Sequence, residues 1–280
     1  MVFFMVFYRW IYLIPHFKNS TLLFSNTDFL IFVFAIVLGA GSGFMINDVY
    51  DEKIDSKNHS KNQLIGASKT VLWSVYILMN IVCGMVTLYL TFKYKITEYA
   101  IIYPISTFLL WFYSFKLKRT FLIGNLTISV LISGLVIFIF PFIELQYLNV
   151  TSSIHLKHLL FLTVLAFLLN LSREIIKDIE DRKGDSEFGC KTLPIVLGVN
   201  RTKQIVVFIL GTTAFTFLYF LGWMNISLDK AILFYGLFLF CITALIGLVK
   251  FAKTNLHFHK ASRLLKIVML LGIISVILWI

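Results

Sequence analysis

Apolar stretches of about 17–25 residues recur along almost the entire chain, each long enough to cross a hydrocarbon core about 30 Å thick as a helix. No other feature constrains the fold as strongly. Inside lipid every backbone N–H and C=O must find a partner within its own segment or in a closed barrel, so long uninterrupted apolar runs imply helices. Nine such runs fall at 1–17, 29–46, 71–92, 98–115, 121–143, 158–177, 204–224, 230–249 and 264–280. With 59% hydrophobic and 14% charged residues and a mean hydropathy of +0.88, little sequence remains for a separate soluble domain. No linker or low-complexity stretch divides the chain. The expectation is an all-α, polytopic membrane bundle of about nine transmembrane helices, with residues 1–280 forming a single integral-membrane domain. The opening run is the weakest of the nine, because it is short, contains Arg9 and ends at Pro15-His16. No small-residue cleavage site follows it, so a secretory leader is not expected.

A net charge of +11 raises the question of nucleic acid, but the positions of the charges answer it. The loops after runs two, four, six and eight hold 19 of the 25 Lys and Arg residues, whereas the alternate loops hold only Lys93, Lys95, Lys157 and Lys230. This is the asymmetry of membrane topology, and it puts the basic loops in the cytoplasm. No nucleic-acid partner is expected. Cys83, Cys190 and Cys241 are far apart and form no C-x-x-C pair, so neither a disulfide framework nor a thiolate metal site is indicated. His155-x-x-His158 and His257-x-His259 read as interfacial histidines more readily than as metal pairs, and Glu98 and Glu144 as solvated carboxylates at the outer ends of their runs.

The acidic residues are unevenly placed. Asp48, Asp51, Glu52 and Asp55 sit at the end of run two, and Glu174, Asp178, Glu180, Asp181, Asp185 and Glu187 at the end of run six, so ten of fourteen occupy two short segments. Asp48, Asp51 and Asp55 are spaced i, i+3, i+7, and Asp178, Asp181 and Asp185 repeat the spacing. On a helix these offsets fall within roughly 60° of arc, so each trio shares one face. Three adjacent carboxylates repel one another, and bound divalent cations relieve that repulsion. Mg²⁺ usually takes only one or two protein carboxylates and completes its octahedron with water and phosphate oxygens, so two facing clusters can bracket one diphosphate. Asn47 adds an amide beside the first cluster, and Lys53, Arg173, Lys177, Arg182 and Lys183 are cations available to uncovered phosphate oxygens. Two alternatives stand beside this reading: ordinary solvated loop charges, and a cation-coupled transporter whose pathway the carboxylates line. The second is disfavoured by location, since transport sites usually lie near the midplane.

The run Asn47-Asp48-Val49-Tyr50-Asp51-Glu52-Lys53-Ile54-Asp55 resembles the N-D-x-x-D-x-x-x-D motif of the UbiA superfamily of intramembrane prenyltransferases. Asp178 to Asp185 resembles that superfamily's D-x-x-D-x-x-x-D motif, and Lys191-Thr192-Leu193-Pro194 to Gly198 its K-T-L-P-x-x-x-G. Tyr113-Ser114-Phe115-Lys116-Leu117-Lys118-Arg119, with Gly124-Asn125 after it, is similar to a further segment, closest in look to the geranylgeranylglycerol-phosphate geranylgeranyltransferase branch. The resemblance lapses after the first motif, where Ser60 and Asn62 stand at positions usually filled by Pro and Arg. Lys61 supplies charge there without a guanidinium's bidentate fork.

The resemblance implies a nine-helix bundle whose cavity opens to lipid, with a prenyl diphosphate donor, a hydrophobic acceptor and Mg²⁺. The two aspartate trios, Asp48, Asp51, Asp55 and Asp178, Asp181, Asp185, are the expected metal ligands; Lys118, Arg119 or Lys177 is expected to assist departure of the diphosphate. Asn47, Tyr113, Arg119, Lys177 and Arg182 are the expected substrate-binding residues.

Overall fold

A computed structural model describes residues 2–17, 22–58, 67–148, 153–221 and 228–279. Among them no strand occurs, and nine long helical segments follow one another: α1 (Val2–His16), α2 (Asn26–Asn58), α3 (Lys69–Lys93), α4 (Ile102–Phe115), α5 (Ile123–Tyr147), α6 (Ser153–Glu187), α7 (Val199–Leu221), α8 (Leu228–Phe251) and α9 (Asn255–Ile274). Asn26–Glu52, Lys69–Lys93, Ile123–Tyr147, Ile154–Glu187 and Val199–Phe220 are long and apolar enough to cross a membrane. Val2–His16 and Tyr235–Phe251 are shorter apolar helices.

Two helices outrun their apolar segments. α2 continues to Asn58 and α6 to Glu187, well past the hydropathy limits of 46 and 177. Hydropathy ends where charge begins, but the i to i−4 backbone bonds do not depend on side-chain charge, so the helix carries on into the acidic motif. Both aspartate segments therefore stand on helices, as their spacing requires. Beyond α6 the chain turns through Gly189 at φ 69°, a left-handed conformation that glycine adopts without a Cβ penalty. Pro194 then opens a one-turn helix, Leu193–Val196, at a position where its missing N–H costs nothing, and Gly198 at φ 79° releases the chain into α7. This is the physical content of the Lys191-to-Gly198 pattern.

The outer surface is apolar, with Phe44, Phe92, Phe208, Phe215, Phe240 and Phe251 exposed, as suits side chains facing lipid. Inside are two packed regions. One joins α6, α7, α8 and α9 around Phe217, Phe238, Ile242, Leu245 and Leu265. The other joins α1, the start of α2, the far half of α5 and the start of α6 around Phe4, Tyr8, Tyr12, Phe29 and Phe140. Between its ends α5 loosens into a π-helical stretch, Leu131–Ile139, where Ser129 just before it and Ser133 within it bond back to the carbonyls of Asn125 and Ser129 at 2.7 Å each. Such back-bonding competes with the regular ladder, and π-turns often accompany functional cavities.

Three readings of the sequence are corrected at the end of the bundle away from the acidic motifs. The opening helix is firmly packed, with Phe4, Met5, Tyr8, Tyr12 and Leu13 fully buried. Glu144 is not solvated: it is 0% exposed and forms an ion pair of 2.9 Å with Arg9, itself 2% exposed. Two charges cannot stay in an apolar interior singly, and each supplies what the other requires. His155 and His158 are drawn inward too, with Nδ1 atoms 2.5 and 3.2 Å from the Tyr12 hydroxyl. At the opposite end, His257 and His259 serve separately: His257 completes a capping box with Thr254, and His259 lies 3.8 Å from Glu180.

Candidate active site

The turn between α4 and α5 ties the two acidic helices together. After Phe115 the chain makes a single 3₁₀ turn, Leu117–Arg119, and re-enters a helix through Leu122 at φ 59°, a left-handed conformation that an L-residue adopts only when its surroundings hold it. Gly124 makes this approach possible, since a Cβ there would lie 2.7 Å from the Leu117 carbonyl oxygen and 2.9 Å from the Lys118 Cα. From this turn Lys118 forms an ion pair with Asp51 of α2, and Arg119 donates to the Tyr50 carbonyl at 3.0 Å. The Arg119 carbonyl in turn accepts from the Lys191 N–H at 2.9 Å, so the loop after α6 is tied to the same turn.

One step further on, Asn125 donates to Asp178 of α6 at 2.9 Å. Asp185 lies within electrostatic range of Asp181, Lys118, Asp51 and Arg119, and Tyr113 within range of Glu174, Asp178, Asp51 and Asp185. The two acidic segments, 123 residues or more apart in sequence, therefore meet around Tyr113 and Lys118. Asp51 is 2% exposed, whereas Asp48, Asp178, Asp181 and Asp185 are half-buried. The Asp55 side chain and the segment around Ser60, Lys61 and Asn62 lie outside the described residues.

Beneath this polar collar runs a cavity of about 410 Å³. Asn47, Tyr113, Lys118, Arg173, Glu174 and Lys177 line one end of it, and mainly apolar side chains of α2, α3, α4 and α5 line the rest, with the hydroxyls of Thr87, Thr91, Tyr103, Ser106 and Thr107 among them. Its size is that of a pocket for a small ligand, and its composition that of one for a hydrocarbon with a charged head. Arg182, expected to bind substrate, is exposed on α6 and is not among the residues gathered at the collar. Asn125 belongs to the Gly124-Asn125 pattern, but its bond to Asp178 is tertiary and has no local signature in the sequence. Glu174, an acid of the second segment, is also a cavity residue, one helical turn before Asp178. Outside the membrane, burial, reinforced by the charge of Asp185, pushes the Cys190 thiol up, which leaves this cysteine an inert packing residue.

The donor set suits a hard cation shared with a ligand. Among the described residues no three Asp, Glu, His or Cys side chains stand together as a ready-made cage. Mg²⁺ usually takes only one or two protein carboxylates and completes its shell with water and phosphate oxygens. Asn47 Oδ1 is buried, lines the cavity and has no hydrogen-bond partner, an unsatisfied acceptor at the level where the acidic segments meet.

A model described as the UbiA prenyltransferase family matches residues 4–272. The digeranylgeranylglyceryl phosphate synthase of Methanosphaera stadtmanae is 30% identical over 252 residues, covering 89% of this chain and 87% of that one. The synthase of the same description from Thermococcus gammatolerans is 35% identical over 183 residues, 64% of this chain and 60% of the relative. A solved structure from work on digeranylgeranylglyceryl phosphate synthase in membranes superposes with a TM-score of 0.63 at 21% identity, covering 91% of this chain and 87% of that one. At that identity the superposition shows a common fold.

Proposed function

The chain belongs to the UbiA prenyltransferase family, and on that premise we propose that it transfers an isoprenoid from an allylic prenyl diphosphate to the glycerol hydroxyl of a phosphorylated glycerol lipid, with Mg²⁺ as cofactor. The observation that carries this reading is the joining of an apolar cavity to a collar where two acidic helices meet a lysine. The relatives' description favours the glycerol-phosphate acceptor over an aromatic one. The transporter alternative finds no support: the family is one of transferases, and the carboxylates cluster at one end of the bundle.

Asp48, Asp51, Asp55, Asp178, Asp181 and Asp185 are the residues that would hold Mg²⁺, with Asn47 as a neutral oxygen donor beside them. When bound, Mg²⁺ supplies neutralisation of the negative charge that develops on the departing diphosphate. The protein does the rest. Lys118 and Lys177 present ammonium groups at the cavity mouth, where diphosphate oxygens not held by metal would lie. Tyr113 flanks the same point, and its ring offers a π-face to the allylic cation that forms as the C–O bond ionises. The apolar walls hold the tail and exclude water, so that the acceptor hydroxyl captures the cation to form the ether C–O bond and gives up its proton to the released diphosphate. Arg119 holds the turn through Tyr50, and Arg182 stands further out as an exposed cation. We further propose that all nine helices count as membrane spans in one domain and that the collar faces the cytoplasm; the concentration of Lys and Arg at that end supports this.

The reading is tested by mass spectrometry of products formed from a geranylgeranyl donor and a phosphoglycerol lipid acceptor. A prenylated phosphoglycerol lipid is expected. Lys118→Ala should raise the KM for the prenyl diphosphate donor more than that for the acceptor, since its ammonium stands where the diphosphate oxygens would lie. Prenylation of aromatic acceptors alone would overturn the acceptor assignment and leave the transferase reading intact.

The glycine at the turn gives a second expectation. Gly124→Ala pushes a methyl into the Leu117 carbonyl and the Lys118 backbone, so the turn must move and Lys118 with it. Misplacing a catalytic group by about 1 Å can cost on the order of 100-fold, and a loss of that scale in kcat/KM is expected, together with earlier unfolding in detergent because the methyl meets backbone rather than a flexible side chain. Undiminished turnover would show that the close approach at Gly124 does not position Lys118.

A further inference from the structure

The last long helix, α9, has two unlike faces. Phe258, Ala261, Ser262, Leu265, Val268 and Gly272 are buried, on a helix packed against α6 and α8. The opposite face is exposed and reads, from its start, Leu256, Lys260, Arg263, Lys266, Ile267 and Leu270. At about 100° per residue all of these fall within about 60° of Arg263, so they share one stripe in which the cations from Lys260 to Lys266 span about 9 Å of helix above Ile267 and Leu270.

Contacts with α6 fix the depth of this stripe. His259 lies 3.8 Å from Glu180, and Asn255 donates to the Glu180 carbonyl at 3.4 Å, so α9 starts at the level of the second acidic motif and runs from there toward the bilayer centre. Lys266 falls inside the apolar run that begins at 264, and Arg263 borders it. Long stems let both reach back toward the headgroup layer, but a cation on a lipid-facing surface at that depth still requires an anion beside it. The protein supplies none: among the described residues no carboxylate pairs with Lys260, Arg263 or Lys266. After Glu187 the sequence holds a single acid, Asp229, at the opposite end of α8.

We propose that this stripe binds the phosphate headgroup of an anionic phospholipid, in the leaflet on the side of the acidic motifs, with its acyl chains lying along Ile267 and Leu270. Arg263 offers a planar fork to two phosphate oxygens, and Lys260 and Lys266, each three residues from it, flank it as point charges. The apolar residues directly below the cations identify the occupant as a lipid, since a free phosphate gains nothing from them. The site stands on the outer surface of the bundle and is independent of the transfer reaction. A cation near an anionic leaflet strengthens association about 5-fold, so the three together account for about 100-fold.

The test titrates the detergent-solubilised full chain with phosphatidylglycerol or phosphatidylcholine in mixed micelles, reading bound lipid by native mass spectrometry and the unfolding temperature on the same samples. Phosphatidylglycerol is expected to bind and to raise the unfolding temperature, and phosphatidylcholine to bind about 10-fold or more weakly. The triple variant Lys260→Gln, Arg263→Gln, Lys266→Gln should lose about 100-fold in phosphatidylglycerol affinity, yet unfold as wild type does without lipid, because all three side chains are exposed. Arg263→Lys, which keeps the charge and loses the fork, should fall between the two. Equal binding of the two lipids, wild-type phosphatidylglycerol affinity in the triple variant, or displacement of the bound lipid by inorganic phosphate would overturn the site.

Discussion

Replacing Asp51 or Asp181 by alanine lowers turnover by about 10²–10³-fold or more, the scale on which loss of one preorganised electrostatic stabiliser slows a reaction. The two residues come from different helices, and the same loss from either is what a shared diphosphate demands. Asp51 is the more telling, since it is 2% exposed and already bound to Lys118. Its removal also frees that ammonium, so Asp51→Asn, which keeps the shape and an oxygen, should bind Mg²⁺ poorly but fold better than Asp51→Ala. Steady-state rates across an Mg²⁺ titration, with unfolding in detergent measured on the same samples, separate the two effects. Wild-type-like turnover in both alanine variants, or full activity in excess chelator, would sink the two-cluster mechanism.

Removing one partner of the Arg9–Glu144 pair produces the largest loss of stability expected in this protein. Both side chains are essentially without solvent, at 2% and 0% exposure, and an unpaired buried charge typically costs about 3–5 kcal/mol. Arg9→Met and Glu144→Leu should each destabilise on that scale. The double variant should lose markedly less than the two together, because two apolar side chains leave no orphan charge. Thermal unfolding of the four proteins in one detergent completes the cycle. Additive losses would mean that the pair is not coupled and that Arg9 acts through Phe24 and Phe29 instead.

The legible parts of this protein were those written in local periodicity. Apolar length located the helices, and the i, i+3, i+7 spacing of two acidic trios pointed to the candidate site, because both signals live within one helix. What could not be read depends on residues far apart. Arg9 and Glu144 are 135 positions apart, and nothing in the neighbourhood of either names the other. The one available signal was Arg9 itself, a cation inside an apolar run, which in lipid requires a partner. Asn125 was similarly hidden, since its bond to Asp178 spans 53 positions. Hydropathy also misplaced the ends of α2 and α6, because it follows side chains where helix continuity follows the backbone. The family resemblance, carried by Asn47 to Asp55, Tyr113 to Asn125 and Asp178 to Gly198, supplied the prenyl substrate that charge and spacing alone left open.

The central claim is that two acidic helices hold a single prenyl diphosphate through Mg²⁺, and equilibrium binding of a non-ionisable prenyl thiolodiphosphate to the purified protein tests it most directly. One analogue should bind per chain, only with Mg²⁺ present, and binding should be lost in Asp51→Ala and in Asp181→Ala separately. Tight binding that persists in either variant, or that needs no divalent cation, would contradict it.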